Sequence, residues 1–249
     1  MTAPSDTSAP SSDSPVLVVH GGGGPATVAP LVAHLAARHR VLAPTIPGFD
    51  GTTRPATTTS VDDVAAAFLD LLAEEGLERV AVVGSSVGGW VASAMAVQDA
   101  GRGRVGRLAL IDAVGVAVPD EPIRDVSGLD PRSLASYSWH DPDRFLASLP
   151  APSPESLQRF QGAQAALHAL AGDPYMHDPG LLARLPAVRV PVLGIWGASD
   201  RVTTPAYGRA MTAAFADSRF EVVAEAGHLP HLEQPERVLA LLDAFLAEG

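Results

Sequence analysis

The stretch Val80-Ala81-Val82-Val83-Gly84-Ser85-Ser86-Val87-Gly88 decides how this chain is read. An apolar run, the length of a buried strand, ends in Gly-x-Ser-x-Gly, and a helix-compatible segment follows. Strand, sharp turn and helix in that order are the setting a nucleophile elbow needs. Such a turn is strained and neighbouring backbone passes close to it, so a side chain at position 84 or 88 would collide. In a chain with 23 glycines the five-residue pattern is weak by itself. Its flanks, and the rest of the sequence, give it weight.

Outward from this turn, apolar strand-like runs alternate with helical spacing. Val16-Leu17-Val18-Val19 predicts a strand, followed by the glycine run 21–24. Residues 27–38 carry Val28, Leu31, Val32 and Leu35 at helical intervals. Val41-Leu42-Ala43 is the next strand, ended by a Pro- and Gly-rich stretch. Ser60 can cap a helix over 61–75, which Gly76 closes. A helix over 88–100 and a strand over 107–111 follow the elbow. After an interruption come a strand at 192–196, a helix at 205–216, a strand at 220–223 and a helix at 235–247. Continuous apolar strands separated by amphipathic helices predict an α/β fold, a mostly parallel sheet covered on both faces.

The interruption runs from Pro119 to Pro186, rich in Pro, Ser and Asp, with short helical pieces such as 154–170. It holds Tyr137, Trp139, Phe145, Phe160 and Tyr175, which suits a lid over a site; a decorated loop bundle packing on itself is the alternative. The expected organisation is a disordered polar tail over 1–14, a core from 15–116 and 187–249, and a cap over 117–186.

Composition narrows function by exclusion. In 249 residues, 47% are hydrophobic and 18% charged, as in a compact globular protein. A net charge of −11 without a basic run argues against nucleic-acid or anionic-membrane partners. Cysteine is absent, which removes disulfides, thiolate metal sites and a cysteine nucleophile, and fits a reducing cytoplasm. The tail has no basic start and no apolar core, unlike a signal peptide. No apolar stretch approaches the roughly 20 residues that span a bilayer. A soluble, cytoplasmic protein, monomer or homodimer, is expected.

A serine hydroxyl attacks only when a base takes its proton, and the base needs a third group to hold its tautomer. Candidates occur in the order Ser86, Asp200, His228, each just past the carboxyl end of a strand, the edge where open α/β sheets place their sites. Asp112, ending the strand at 108–111, is a rival acid. Ser85 is off-centre between the two glycines. His20 reads as a brace for the glycine loop, His231 as a helix-entry residue and Trp90 as core packing. His140, His168 and His177 lack metal-ligand spacing, so no metal is expected. The glycine run has neither the P-loop lysine nor the dinucleotide fingerprint, so no phosphate-bearing cofactor is expected.

Four motifs in this order carry a resemblance over roughly 16–248: His20-Gly21 before a glycine loop, the elbow at Ser86, the Gly-x-x-Asp turn ending at Asp200, and Gly227-His228. His231-Leu232-Glu233-Gln234-Pro235 adds a similar entry to the last helix. The chain resembles the α/β-hydrolase fold superfamily, among its lidded serine hydrolases. The resemblance implies a helical cap inserted after the sixth family strand and no cofactor. It implies attack by Ser86, general acid–base work by His228, and orientation of the imidazole by Asp200. Backbone N–H groups of Val87 and of Gly22 or Gly23 would hold the oxyanion. Trp139, Tyr137, Phe145, Phe160, Met176 and Leu229 are the expected lining of an apolar substrate pocket.

Departures from the family sharpen the expectation. A hairpin usually precedes the strand at 16–19; here only the polar tail does, so about six strands are expected, or an edge covered by a partner chain. Serine rather than aspartate at 86 argues against haloalkane dehalogenase or epoxide hydrolase chemistry. Leu229 stands where many carbon–carbon bond hydrolases carry tryptophan. The expected activity is hydrolysis of a small or medium apolar carboxylic ester or lactone. Carbon–carbon cleavage or a cyclisation on the same triad is the first alternative, and a non-catalytic ligand-binding protein the second.

Overall fold

The computed structural model describes residues 15–99, 101–149 and 153–248, so the tail expected over 1–14 lies outside the described residues. Among these, eight strands form two sheets. They are β1 (Val16–Val19), β2 (Val41–Leu42), β3 (Val80–Ser85), β4 (Val105–Ile111), β5 (Gly115–Val116), β6 (His177–Asp178), β7 (Val192–Gly197) and β8 (Ser218–Val223). The main sheet has six parallel strands in the order β2-β1-β3-β4-β7-β8, as the apolar runs predict. Helices α1 (Ala29–Leu35), α2 (Val61–Glu74) and α3 (Val87–Asp99) connect its first four strands.

Alternate residues of each strand face opposite sides of the sheet. Leu17, Val19, Val82, Leu108 and Leu110 pack with Phe68 and Leu72 of α2 and Val91 and Met95 of α3. Val16, Val18, Ala81, Val83, Ala109 and Ile111 pack on the other face against Leu31 and Leu35 of α1. Full burial of each valine, leucine, isoleucine, phenylalanine or methionine side chain among these contributes about 1.5–3 kcal/mol, which is why unbroken apolar runs become the central strands. Local chemistry sets the ends: Asp63 N–H donates to Ser60 Oγ (3.2 Å) while Ser60 N–H donates to Asp63 Oδ2 (3.0 Å), a capping box that starts α2.

Between β4 and β7 lie α4 (Pro131–Ser138), α5 (Pro142–Ser148), α6 (Pro154–Ala171) and α7 (Leu181–Arg184). The β5–β6 pairing ties the end of this segment to its start, and Leu181, Leu185 and Val188 rejoin the main core. In α6, residues 154–162 are exposed, whereas Leu170 and Ala171 are buried. The chain closes with α8 (Pro205–Ala213), α9 (Pro230–Glu233) and α10 (Pro235–Leu246). No helix among the described residues is long and apolar enough to cross a membrane.

Topology places the site. The chain steps outward from β1 to β2, then returns past β1 to β3. Loops leaving β1 and β3 therefore diverge, and the crevice beyond their carboxyl ends is where α/β sheets take ligands.

Candidate active site

Ser86 sits between β3 and α3 with φ +54°, the left-handed region that non-glycine residues rarely enter. Its neighbours explain how the turn holds. A Cβ at Gly84 would lie 2.3 Å from Gly88 O, and one at Gly88 would lie 2.2 Å from Val19 O. Ser86 N–H donates to Ile111 O (2.9 Å), and Ser86 O accepts from Gly89 and Val114 (2.9 and 3.3 Å). The strained residue is thus pinned from β4 and from its own helix. A Cβ at Gly21 would come 3.0 Å from Ser86 Cβ, so the glycine loop after β1 runs beside the hydroxyl.

His228 and Asp200 reach Ser86 from the loops after β8 and β7. His228 Nε2 lies 2.9 Å from Ser86 Oγ, and Nδ1 lies 2.8 Å from Asp200 Oδ2. Asp200 can only accept, so Nδ1 carries the proton and Nε2 faces the serine hydroxyl as an acceptor. Asp200 also accepts from Val202 N–H (2.8 Å) and Thr203 N–H (3.1 Å) on Oδ1, and from Thr203 Oγ1 (2.9 Å) on Oδ2. Burial alone would raise its pKa; the charge of His228 and these hydrogen bonds outweigh it and hold the carboxyl below its ordinary value.

The two loops are pressed together. A Cβ at Gly197 would fall 1.9 Å from Gly227 O, and one at Gly227 would fall 2.4 Å from Ser138 O. His228 N–H donates to Ser138 O at the end of α4 (2.7 Å), and Gly227 N–H donates to Glu233 Oε2 (2.6 Å). Glu233 and the Ser138 carbonyl are positioning groups that the sequence did not reveal. Glu233 falls within the His231–Pro235 stretch, which the sequence marked only as the entry to the last helix.

The amides of Gly22, Gly23 and Val87 find no acceptor among the described residues. Val87 is also the first residue of α3, where the helix dipole favours negative charge. Leu167 of α6 lies over this loop: a Cβ at Gly22 would meet Leu167 Cδ2 at 2.8 Å. Leu167 was not among the sequence candidates, although it falls in the apolar series Leu157, Phe160, Ala163, Leu167 and Leu170.

The remaining candidates take other places. Asp112 makes no hydrogen bond to His228; its Oδ1 accepts from Gly197 N–H (3.0 Å). His20 braces two loops, with Nδ1–H donating to Gly21 O (2.8 Å) and Nε2 accepting from Ile46 N–H (3.0 Å); burial lowers its pKa. Trp90 is buried against Gly115. Trp139 and Phe145 stack on each other (3.7 Å between centroids) and, with Arg144, Leu232 and Glu233, line a cavity of about 370 Å³ whose lining does not include Ser86. Arg124 covers the Tyr137 ring, Phe160 is exposed, Met176 is buried, and Leu229 precedes α9 half-buried beside His228. Of the six expected lining residues, Trp139 and Phe145 share that cavity, and the other four are not in its lining.

A sequence model described as the alpha/beta hydrolase family matches residues 16–241. The chain is 27% identical to 2-hydroxymuconate semialdehyde hydrolase of Pseudomonas sp. strain CF600, over 94% of this chain and 87% of that protein. It is 28% identical to 2-hydroxy-6-oxo-2,4-heptadienoate hydrolase of Pseudomonas putida, over 94% and 89%. The solved structure of a thermophilic esterase from Thermogutta terrifontis superposes with a TM-score of 0.74 at 26% identity, over 94% of this chain and 89% of that one.

Proposed function

The chain belongs to the alpha/beta hydrolase family, and from that premise we propose that it is a serine hydrolase of small or medium apolar carboxylic esters or lactones. The observation that carries this reading is the unbroken hydrogen-bond chain Ser86–His228–Asp200 beside the free amides of Gly22 and Val87. Ser86 Oγ attacks the ester carbonyl as His228 Nε2 takes its proton, and Asp200 stabilises the imidazolium. The negative charge on the carbonyl oxygen rests on the amides of Val87 and Gly22 or Gly23, each such donor lowering the barrier by about 2.7–4 kcal/mol. His228 then protonates the departing alcohol. A water, deprotonated by His228, cleaves the acyl-enzyme and releases the acid.

In this reading residues 117–186 form the cap, and Leu167 and Leu229 offer apolar surface to the substrate. The reaction as written calls on no cofactor. The protein would act in the cytoplasm as a monomer or homodimer on a small molecule, without nucleic acid or membrane.

The names of the two Pseudomonas relatives favour a second reading, cleavage of a carbon–carbon bond beside a ketone. Leu229, in place of the tryptophan common in such enzymes, and the similarity to an esterase weigh toward the ester. Side-by-side kinetics on p-nitrophenyl acyl esters and on vinylogous diketones separate the two. Ser86→Ala abolishes turnover of whichever class is cleaved; near-full activity in that variant removes the triad from the mechanism.

A further inference from the structure

Behind the triad lies a second carboxyl group that the proposed chemistry does not use. Asp112 ends β4 with φ +43° and is fully buried. One oxygen each from Asp112 and Asp200 and one nitrogen of His228 all lie within 4.8 Å of one another. Two carboxylates this close in a dry interior cannot both ionise, and they share one proton between them. Among the described residues no arginine pairs with either, so His228 is the one cation-forming group in contact with them. Glu233, close enough to act on Asp112 through its charge, makes a second negative charge still less favourable. His231, the other titratable group facing His228, is held neutral by burial.

Donor inventory decides which carboxyl keeps the proton. Asp200 accepts from Val202 N–H, Thr203 N–H, Thr203 Oγ1 and His228 Nδ1. Asp112 accepts one bond, from Gly197 N–H, and its Oδ2 is buried with no donor aimed at it. A carboxylate oxygen stranded in that way is costly, whereas an Oδ2–H next to a carboxylate is satisfied by donating.

We propose that Asp112 is a neutral carboxylic acid whose Oδ2–H donates to Asp200, a positioning residue that holds the carboxylate orienting His228. Burial first, then the charge of Asp200 and a hydrogen bond between the two carboxyls, push its pKa well above the ordinary value, in accord with the geometry. Asp112 is then no substitute for Asp200 in the triad. It draws electron density from Asp200 and so restrains the basicity that Asp200 confers on His228. This inference rests on the triad reading above.

The test follows phosphonylation of Ser86 by a fluorophosphonate probe against pH, which needs no knowledge of the substrate. In Asp112→Asn a neutral amide N–H replaces the neutral O–H, so the midpoint of the acid limb stays within about 0.3 unit of wild type. If Asp112 is ionised, losing its charge lowers that midpoint by about one unit or more, and the proposal falls. Asp112→Ala removes the donor, moves the midpoint upward and slows labelling about tenfold or more; a downward move also refutes it. Infrared spectra at neutral pH give a second readout that does not depend on reactivity. The carbonyl band of a protonated carboxylic acid is present in wild type and lost in Asp112→Asn; its absence from wild type overturns the assignment. Wild type that fails to label at Ser86 overturns the triad reading instead, and the infrared band still decides the protonation of Asp112.

Discussion

His231→Gln should flatten the acid side of this protein's stability profile. His231 lies in α9 and is 1% exposed; its Nε2–H donates to Thr27 O (3.0 Å), while Nδ1 is buried with no partner among the described residues. Burial, opposed by the Thr27 carbonyl and aided by the charge of His228, pushes its pKa down from 6.5 to about 4. In the unfolded chain the imidazole takes up a proton as pH falls through 6.5, but the folded chain does not until about 4. The unfolded state therefore binds more protons in that window, and stability rises with pH across it and is lost on acidification. The shift corresponds to about 3 kcal/mol in total, of which about 2 kcal/mol falls between pH 7 and pH 5. Glutamine keeps an N–H able to reach Thr27 O and cannot become charged. Urea unfolding of both proteins at the two pH values gives a double difference in which the packing cost of the replacement cancels. Wild type should lose about 2 kcal/mol more than the variant on going from pH 7 to pH 5. Equal losses would refute the reasoning.

Two further outcomes follow from the site. Asp200→Asn turns an amide N–H toward His228 Nδ1 and favours the wrong tautomer, so the variant should fold but react with the fluorophosphonate about 10³–10⁴-fold more slowly; a drop of less than tenfold contradicts the assigned role. Gly88→Ala drives a methyl group to 2.2 Å from Val19 O and 2.6 Å from His20 O, both backbone, and should destabilise by about 3 kcal/mol or more in chemical denaturation. Gly162→Ala in α6, with nothing within 4 Å of the added carbon, should be neutral or stabilise by up to about 1 kcal/mol. Similar costs at the two glycines would show that close backbone approach is not what position 88 enforces.

The placement of Leu167 bears on how substrate reaches the hydroxyl. Ser86 and His228 are 6% and 8% exposed, and Leu167 rests on the loop whose amides are free. The cavity lined by the Trp139–Phe145 stack does not include Ser86 in its lining. On the ester reading proposed above, Leu167 of α6 is the side chain placed to meet an acyl group on Ser86.

Periodicity and glycine placement carried the local structure into view. Parallel strands buried on both faces must be apolar throughout, so their sequence signature is direct and the order of elements was legible. The elbow was legible because Gly84 and Gly88 stand where any Cβ would strike backbone. Ser86, Asp200 and His228 could be listed because each follows a strand. What the residues alone left open was which of two aspartates meets the imidazole, since Asp112 and Asp200 both leave strand ends on one edge of the sheet. That choice is made by three-dimensional reach: Asp200 turns toward His228 and the backbone donors of its own turn, while Asp112 is left one neighbour behind. The inserted segment was least legible, because short helices with mixed faces take their orientation from what they dock on. Hence Trp139 and Phe145 pair with each other, and Leu167 rather than Phe160 lies over the glycine loop. Contacts between residues more than a hundred positions apart depend on how strands are ordered and how closely loops pack, and no local pattern in the chain encodes those distances.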